Sequence, residues 1–302
     1  MSFETLESLR SDEGLSVSRF CEWVGLPRST YYYRRLQHFD EGPERGRKTR
    51  LDPRLRERSR ELALKYPMYG YRKIWVLLGE DRHRVSRTTV YRWLKEEGLL
   101  LSPKYHREAR QRGREARRKY LNPPQYPNEL WQVDITWVDV GDYGMHYVTN
   151  VIDYASRFPL ASVFSSSHTT GDVTRALGSA IEEARSLRGE LPEQVTLVSD
   201  NGTQFTSKAF RKWLGEIEVG FRHVRGRSHH PQTTGMVERY HQSLKYEEIW
   251  LNDYDDPIEA RKQVEEYRRR YAYERPHQAL DYDVPANMYI TEKTDETLRI
   301  TA

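Results

Sequence analysis

A chain of 302 residues is long enough for two or three domains that each bury a core of their own. With 37% hydrophobic and 31% charged residues, and no apolar run near the ~18 residues of a membrane span, the composition excludes a membrane-spanning helical protein and a disordered one. The formal net charge of +4 conceals a division: residues 1–120 carry 29 Lys and Arg against 17 Asp and Glu, and the remainder carries 20 against 28, so the front attracts polyanions while the acids of the back have some other use.

The chain begins MSFETLESLRSDEG, which lacks the basic and apolar regions of a secretory signal, and the protein is expected to stay in the cytosol. In SVSRFCEWVGLPRSTYYYRRL, the spacing of Val17, Phe20 and Val24 predicts a helix, Gly-Leu-Pro a break, and the residues from Ser29 a second short helix. Helix, tight turn, helix is the layout of a helix-turn-helix, with Arg28 and Arg34 as its candidate DNA contacts. Cys21, the single cysteine, is expected to be a partly buried thiol with no disulfide or zinc site to join. After the basic, Pro- and Gly-containing stretch EGPERGRKTR, a second module is expected over residues 46–101: a helix through Leu55, Leu62 and Ala63, another through Ile74, Leu77 and Leu78, and a third, SRTTVYRWLKEEGLL. Ser86 caps that third helix, Val90, Trp93 and Leu94 bury it, and Gly98 stops it. Arg87, Thr88 and Thr89 in its first turn, and Arg92 one turn on, stand where a recognition helix presents side chains to base edges; a bundle used only for packing is the alternative. Residues 102–126, containing REARQRGREARRKY, read as a basic linker along a phosphate backbone or as a solvated connector.

From residue 127 the pattern becomes strand-like. LWQVDITWVDV alternates, with Trp131, Val133, Ile135 and Trp137 on one face and Gln132, Asp134 and Thr136 on the other. MHYVTNVID and ASVFSSS continue it as a meander, and a helix from Thr170 follows with Val173, Leu177, Ile181 and Ala184 as its core face. Then come the strand QVTLVSD, the helix SKAFRKWLGEI, the strand VGFRHV, the polar loop from Arg225 to Gly235, and the helix MVERYHQSLKYEEIW, packed through Val237, Tyr240 and Leu244. That order is an α/β core over residues 127–250 in which the first and fourth strands can lie side by side, and residues 251–302 are expected to add a helical segment. The loop before the last helix is polar, has no apolar anchor and is expected to be mobile without a ligand.

Three acids in this core suggest chemistry. Asp134 lies mid-strand where an apolar residue is expected, Asp200 closes another strand, and Glu238 lies in the first turn of a helix, so that each falls where α/β sheets gather their sites. Converging carboxylates repel one another unless divalent cations neutralise them, and oxygen ligands of this kind suit Mg²⁺ or Mn²⁺. From spacing alone, any one of them reads first as a capping or surface carboxylate, since 45 acids offer many accidental triples.

The segments WQVDITWV, SDNGTQFTS, HPQTTGMVERYHQSLKYE and YERPHQALDYDVPANMY resemble, in that order, the motifs of bacterial insertion-sequence transposases with a retroviral-integrase-like core. YPMYGYRKIWVLLGEDRHRVSRTTVYRWLKEEGLL is similar to the helix-turn-helix module that precedes the core in the group built from two overlapping reading frames, typified by insertion sequence three. The resemblance covers nearly the whole chain; the 37 residues between Asp200 and Glu238 are slightly more than the group's usual interval. It implies a multi-domain protein: an all-α helix-turn-helix region with segments 1–45 and 46–101, a ribonuclease H-like core with a mixed five-stranded sheet flanked by helices, and a helical C-terminal segment. It further implies that Asp134, Asp200 and Glu238 are a catalytic Asp-Asp-Glu triad holding two Mg²⁺ ions, with Mn²⁺ able to substitute, and that Lys245 holds DNA. Asn201, Gln204 and Gln232 become candidates for positioning DNA or water. The implied partners are double-stranded DNA, as the element's terminal inverted repeats and as target, further copies of the chain in a synaptic complex, and an upstream-frame product; no membrane is implied, and the location is the bacterial cytosol at the nucleoid. A catalytically silent DNA-binding regulator derived from a transposase is the alternative.

Overall fold

The computed structural model describes residues 3–28, 30–31, 52–101, 123–226 and 235–291. Arg34, Gln232, most of the second helix expected from Ser29, the greater part of the basic linker and most of the loop from Arg225 to Gly235 lie outside them. Among the described residues no helix is long and apolar enough to cross a membrane.

Residues 1–53 and 54–302 form two compact units. In the first, α1 (Phe3–Asp12) precedes α2 (Val17–Val24), whose N-terminus is capped by Ser16 and whose end is turned by Gly25 at φ +64°. Phe20 and Cys21 bury against Tyr31, with the Phe20 and Tyr31 rings edge to face at 6.0 Å. The expected stripe stops short: Val24, at the end of α2 where the chain turns at Gly25, is 39% exposed.

The second unit opens with the helix-turn-helix module, α3 (Pro53–Lys65), α4 (Tyr71–Leu77) and α5 (Arg87–Glu96). Leu55, Ile74, Leu78, Val90, Trp93 and Leu94 form its core. The Ser86 hydroxyl accepts from the Thr89 N–H at 3.1 Å and caps α5. Arg56 pairs with both Glu96 and Glu97, tying α3 to the end of α5.

The core is a five-stranded sheet in the order β3-β2-β1-β4-β5, from β1 (Leu130–Asp139), β2 (Met145–Asp153), β3 (Pro159–Ser165), β4 (Gln194–Ser199) and β5 (Gly220–Arg225). β1, β2 and β3 form the antiparallel meander, while β4 runs parallel to β1 and β5 parallel to β4. Between β3 and β4, α6 (Thr170–Arg188) starts in a capping box of Thr169 and Asp172 and buries Val173, Leu177, Ala180, Ile181 and Ala184 against Trp131, Val133, Val151 and Leu197. The short α7 (Thr203–Thr206) and α8 (Lys208–Glu216) link β4 to β5. α9 (Gly235–Glu247) and α10 (Pro257–Tyr273) build a second core with Val138, Val148 and Ile152 through Val237, Tyr240, Leu244, Val264, Tyr267 and Tyr271. α11 (Pro285–Ile290) returns Tyr289 to the first core beside Ala272 of α10. This mixed sheet between helices is the ribonuclease H-like arrangement, and α10 spans both of its cores.

Burial along that face is uneven. Trp137, on the same face of β1 as the buried Trp131 and Val133, is 46% exposed. Among the described residues β4 pairs with β1 only from Leu130 to Gln132, so the far half of β1 lacks that neighbour, and Trp137 is covered in part by Lys245 of α9.

Candidate active site

The strand register brings the first two acids level. β1 and β4 run parallel with Gln132 opposite Val198, so Asp134 and Asp200 each lie two residues beyond the last pair, in the same direction. Adjacent strands are about 4.8 Å apart, which makes these two carboxylates neighbours at one end of the sheet. β4 has ended there, and its exit is fixed by hydrogen bonds: Asp200 Oδ1 accepts from the Gly202 N–H at 2.8 Å, and Asn201 Nδ2 donates to the Gly226 carbonyl at 2.6 Å. Ser199, buried just behind, bonds His223 of β5 at 2.8 Å. A Cβ at residue 202 would collide with the Gln204 side chain, which lies against this turn.

The third acid arrives on α9, and the sheet itself sets where that helix starts. The Gln132 side-chain oxygen, two residues before Asp134 on the same face, accepts from the backbone N–H groups of Met236 and Val237 at 2.9 and 3.0 Å. A helix N-terminus has such donors to satisfy, so Gln132 pins the first turn of α9, which carries Glu238, over Asp134. Further along the helix, Tyr240 is buried and its hydroxyl lies 3.1 Å from Ser162 of β3, which donates to Asn150 of β2 at 2.6 Å. Asn150 is the cross-strand partner of Asp134.

Glu238, His241 and Lys245 fall at helical spacing on one face of α9, turned toward Asp134. His241 Nδ1 is 3.5 Å from Asp134 Oδ2. Burial, and then the charge of Lys245, push this imidazole down to about 3, so it is neutral, and its Nε2 has no hydrogen-bond partner among the described residues. The Lys245 ammonium lies 4.1 Å from the centre of the Trp137 ring, a cation–π contact beside the acids. Burial pushes the Asp134 carboxyl up to about 7; Asp200 and Glu238 push the same way, against the Ile135 N–H and Lys245. Asp134, Asp200, Glu238 and Lys245 therefore share one electrostatic neighbourhood.

Among the described residues no three His, Cys, Asp or Glu side chains stand together as a ready-made metal cage. The chemistry of the donor set nevertheless fits a hard cation: the clustered acids offer carboxylate oxygens, and a divalent ion would offset the charge of Asp200 and Glu238 that adds to burial in raising Asp134. Asp200 and Glu238 are exposed, so their face of the site is open to a large substrate.

The remaining expected contacts lie elsewhere. Arg87, Thr88 and Arg92 are exposed on α5, with the Arg87 guanidinium 4.5 Å from the Trp75 ring. Thr89, expected with them, is instead buried against the capping Ser86 and does not face outward. Arg28 is exposed in the first unit. Gln132, His241 and Trp137 were absent from the residues expected at the site. The signal for two of them was legible: Gln132 is a polar residue at alternate spacing from Asp134 inside a strand, and His241 is one turn from Glu238.

A five-stranded mixed sheet with clustered acids at its strand ends, behind a helix-turn-helix module, defines an integrase-type core, and comparison with known families agrees. Residues 124–231 and 219–285 match two family models, each described as an integrase core domain, and residues 50–107 match an HTH-like domain. The chain is 27% identical over 281 residues to the transposase for insertion sequence element IS629 of Shigella sonnei, covering 89% of this chain and 90% of that one. It is 32% identical over 207 residues to a protein of insertion sequence element IS986/IS6110 from Mycobacterium tuberculosis, covering 63% of this chain and 69% of that one. Among solved structures it is similar to the HTLV-2 integrase catalytic core domain in complex with magnesium, with a TM-score of 0.40 and 20% identity over 54% of this chain and 97% of that chain. The chain belongs to the insertion-sequence transposases that carry an integrase core domain.

Proposed function

We propose that this chain binds the ends of an insertion sequence and cuts and joins DNA strands at Asp134, Asp200 and Glu238. The observation that carries the reading is the register that sets Asp134 level with Asp200, together with the Gln132 cap that holds the first turn of α9 above them. Two divalent ions bound by these carboxylates would supply activation of the attacking oxygen and stabilisation of the leaving oxygen in an in-line displacement at phosphorus. The chain's own residues do the rest. Lys245, propped on Trp137, meets a phosphate oxygen beside Asp134; neutral His241 holds the Asp134 carboxylate in place. Arg87, Thr88 and Arg92 face base edges and phosphates, and Arg28 adds a contact from the first unit. Water attacks first and frees a 3′-hydroxyl; that hydroxyl attacks a second phosphodiester, so no covalent protein–DNA link forms. Two ends are cut and joined together, which calls for more than one copy of the chain on DNA, in the bacterial cytosol at the nucleoid.

The test uses purified chain, Mg²⁺ or Mn²⁺, and a duplex carrying the inverted repeat that flanks the gene. Asp134→Asn, Asp200→Asn and Glu238→Gln should each lose cleavage and strand transfer together, at least about 100-fold, and keep binding to the duplex. A variant that cuts at near the parental rate removes its residue from the triad. A parental chain that binds the duplex and never cuts it is the regulator instead.

A further inference from the structure

The catalytic reading leaves two sequence motifs without a role, YPMYGYRK running into α4 and YERPHQAL running out of α10, and the fold brings them together at the far end of α9. Glu247, the last residue of α9, is gripped by Arg275: Arg275 Nη2 donates to Oε1 at 2.6 Å and Nε to Oε2 at 2.7 Å. The Tyr267 hydroxyl donates to the same carboxylate at 3.2 Å. From the helix-turn-helix side, Lys73 of α4 places its ammonium 3.6 Å from Glu247 Oε1 and 4.4 Å from the centre of the Tyr69 ring. Arg275 lies over both Tyr69 and Tyr271, at 5.8 and 4.9 Å. Glu247, Arg275 and Lys73 are only 6, 9 and 18% exposed at their side chains. One carboxylate thus serves two cations in a space closed by tyrosines from both sides.

A second contact lies a short way off. The turn after α10 runs through Asp281 and Tyr282 at φ +54° and +68°, an unusual backbone for non-glycine residues, held by the Leu280 and Tyr282 N–H groups on the His277 carbonyl. The turn carries the Tyr282 ring to within 6.0 Å of the Arg87 guanidinium, at the start of α5.

Buried charges at a junction stabilise weakly when complete, but removing one partner strands the others in low dielectric, so they favour one arrangement strongly over its neighbours. Glu247 is also nine residues from Glu238 on one continuous helix, a lever about 14 Å long. We propose that Lys73, Glu247 and Arg275 clamp the helix-turn-helix module onto the catalytic core, so that the span from DNA held by α5 to a phosphate at Asp134, Asp200 and Glu238 is set by the fold. Its consequence for DNA rests on the function proposed above; the clamp itself does not.

The experiment is a double electron–electron resonance distance measurement on the full-length chain. Nitroxides are attached through Lys95→Cys on α5 and Lys212→Cys on α8, both exposed positions, in a Cys21→Ser background and diluted with unlabelled chain. The clamp gives a single narrow distance distribution. Lys73→Glu, which sets a second carboxylate against Glu247, broadens or shifts it while far-ultraviolet dichroism retains the parental helix content; if helix content falls, Lys73→Ala replaces it and the same broadening is expected. A broad distribution in the parental chain overturns the proposal, as does an unchanged narrow one in a folded Lys73 variant. Neither DNA nor cleavage enters the readout, so failure of the clamp leaves the transposase reading untouched, and an inert chain with a narrow distribution counts against that reading alone.

Discussion

A single glutamine decides where the third acid stands. Gln132 is fully buried in β1, and its side-chain oxygen receives both N–H bonds from the start of α9. Gln132→Leu fills the same space and leaves those two donors without an acceptor, a cost of about 1–3 kcal/mol for buried groups. The expected outcome is an unfolding free energy in urea lower by that amount, with cleavage reduced more than duplex binding because Glu238 loses its fixed position. A loss under about 0.5 kcal/mol, within the range of surface substitutions, would show that water or a neighbour replaces the cap. The sequence carried part of this: Asp134 stood out because an acid interrupts an alternating strand, whereas Gln132 has the same placement and no charge to draw attention. His241 was hidden for a different reason. A histidine one turn along a helix is ordinary until the partner strand is known, and only the fold sets its ring 3.5 Å from Asp134.

Whole elements were more legible than their edges. The helix from Thr170 showed its buried face at Val173, Leu177, Ile181 and Ala184, all buried, because a 3.6-residue period survives whatever it packs on. The adjacency of β1 and β4 also followed from element order. The extent of their pairing did not, since it depends on where β4 stops. The short helices Thr203–Thr206 and Pro285–Ile290 carried too few residues to show a period. α9 is fixed to the meander by a buried polar chain from Tyr240 through Ser162 to Asn150, which gives a prediction at this scale. Tyr240→Phe removes one hydroxyl and leaves Ser162 bonded to Asn150, so unfolding should be easier by about 1 kcal/mol. Ser162→Ala strips a partner from both buried neighbours and should cost more, about 2 kcal/mol. Urea titrations of the two variants in parallel give the order, and a larger loss for Tyr240→Phe would mean that the chain does not run through Ser162.

At the scale of the molecule, the junction between module and core should govern acid stability. The Glu247 carboxyl faces Arg275 and Lys73, accepts from the Tyr267 hydroxyl and lies near Tyr69. Although burial alone would raise it, Arg275 first and Lys73 second hold it down to about 2, from an ordinary 4.5. A carboxyl depressed in the folded chain stabilises fully above its unfolded value and loses that contribution as pH falls through its folded value, so the window is pH 4.5 down to 2. The full swing corresponds to about 3 kcal/mol. Lys73 acts with the opposite sign: burial and then Arg275 push it down to about 7, so its cost is complete below that pH and relieved as pH rises toward 10.5. Many other carboxylates titrate in the acid window, so the informative quantity is the difference in unfolding free energy between the parental chain and Glu247→Gln. That difference should be several kcal/mol at pH 5, below the Lys73 titration, and then shrink steadily as the pH is taken toward 2, because the parental carboxylate is neutralised while the amide at 247 has nothing to titrate. Urea unfolding at a series of pH values, followed by tryptophan fluorescence, measures it. A gap that stays constant down to pH 2.5 would mean that Arg275 does not hold Glu247 ionised, and one that widens would reverse the sign of the linkage.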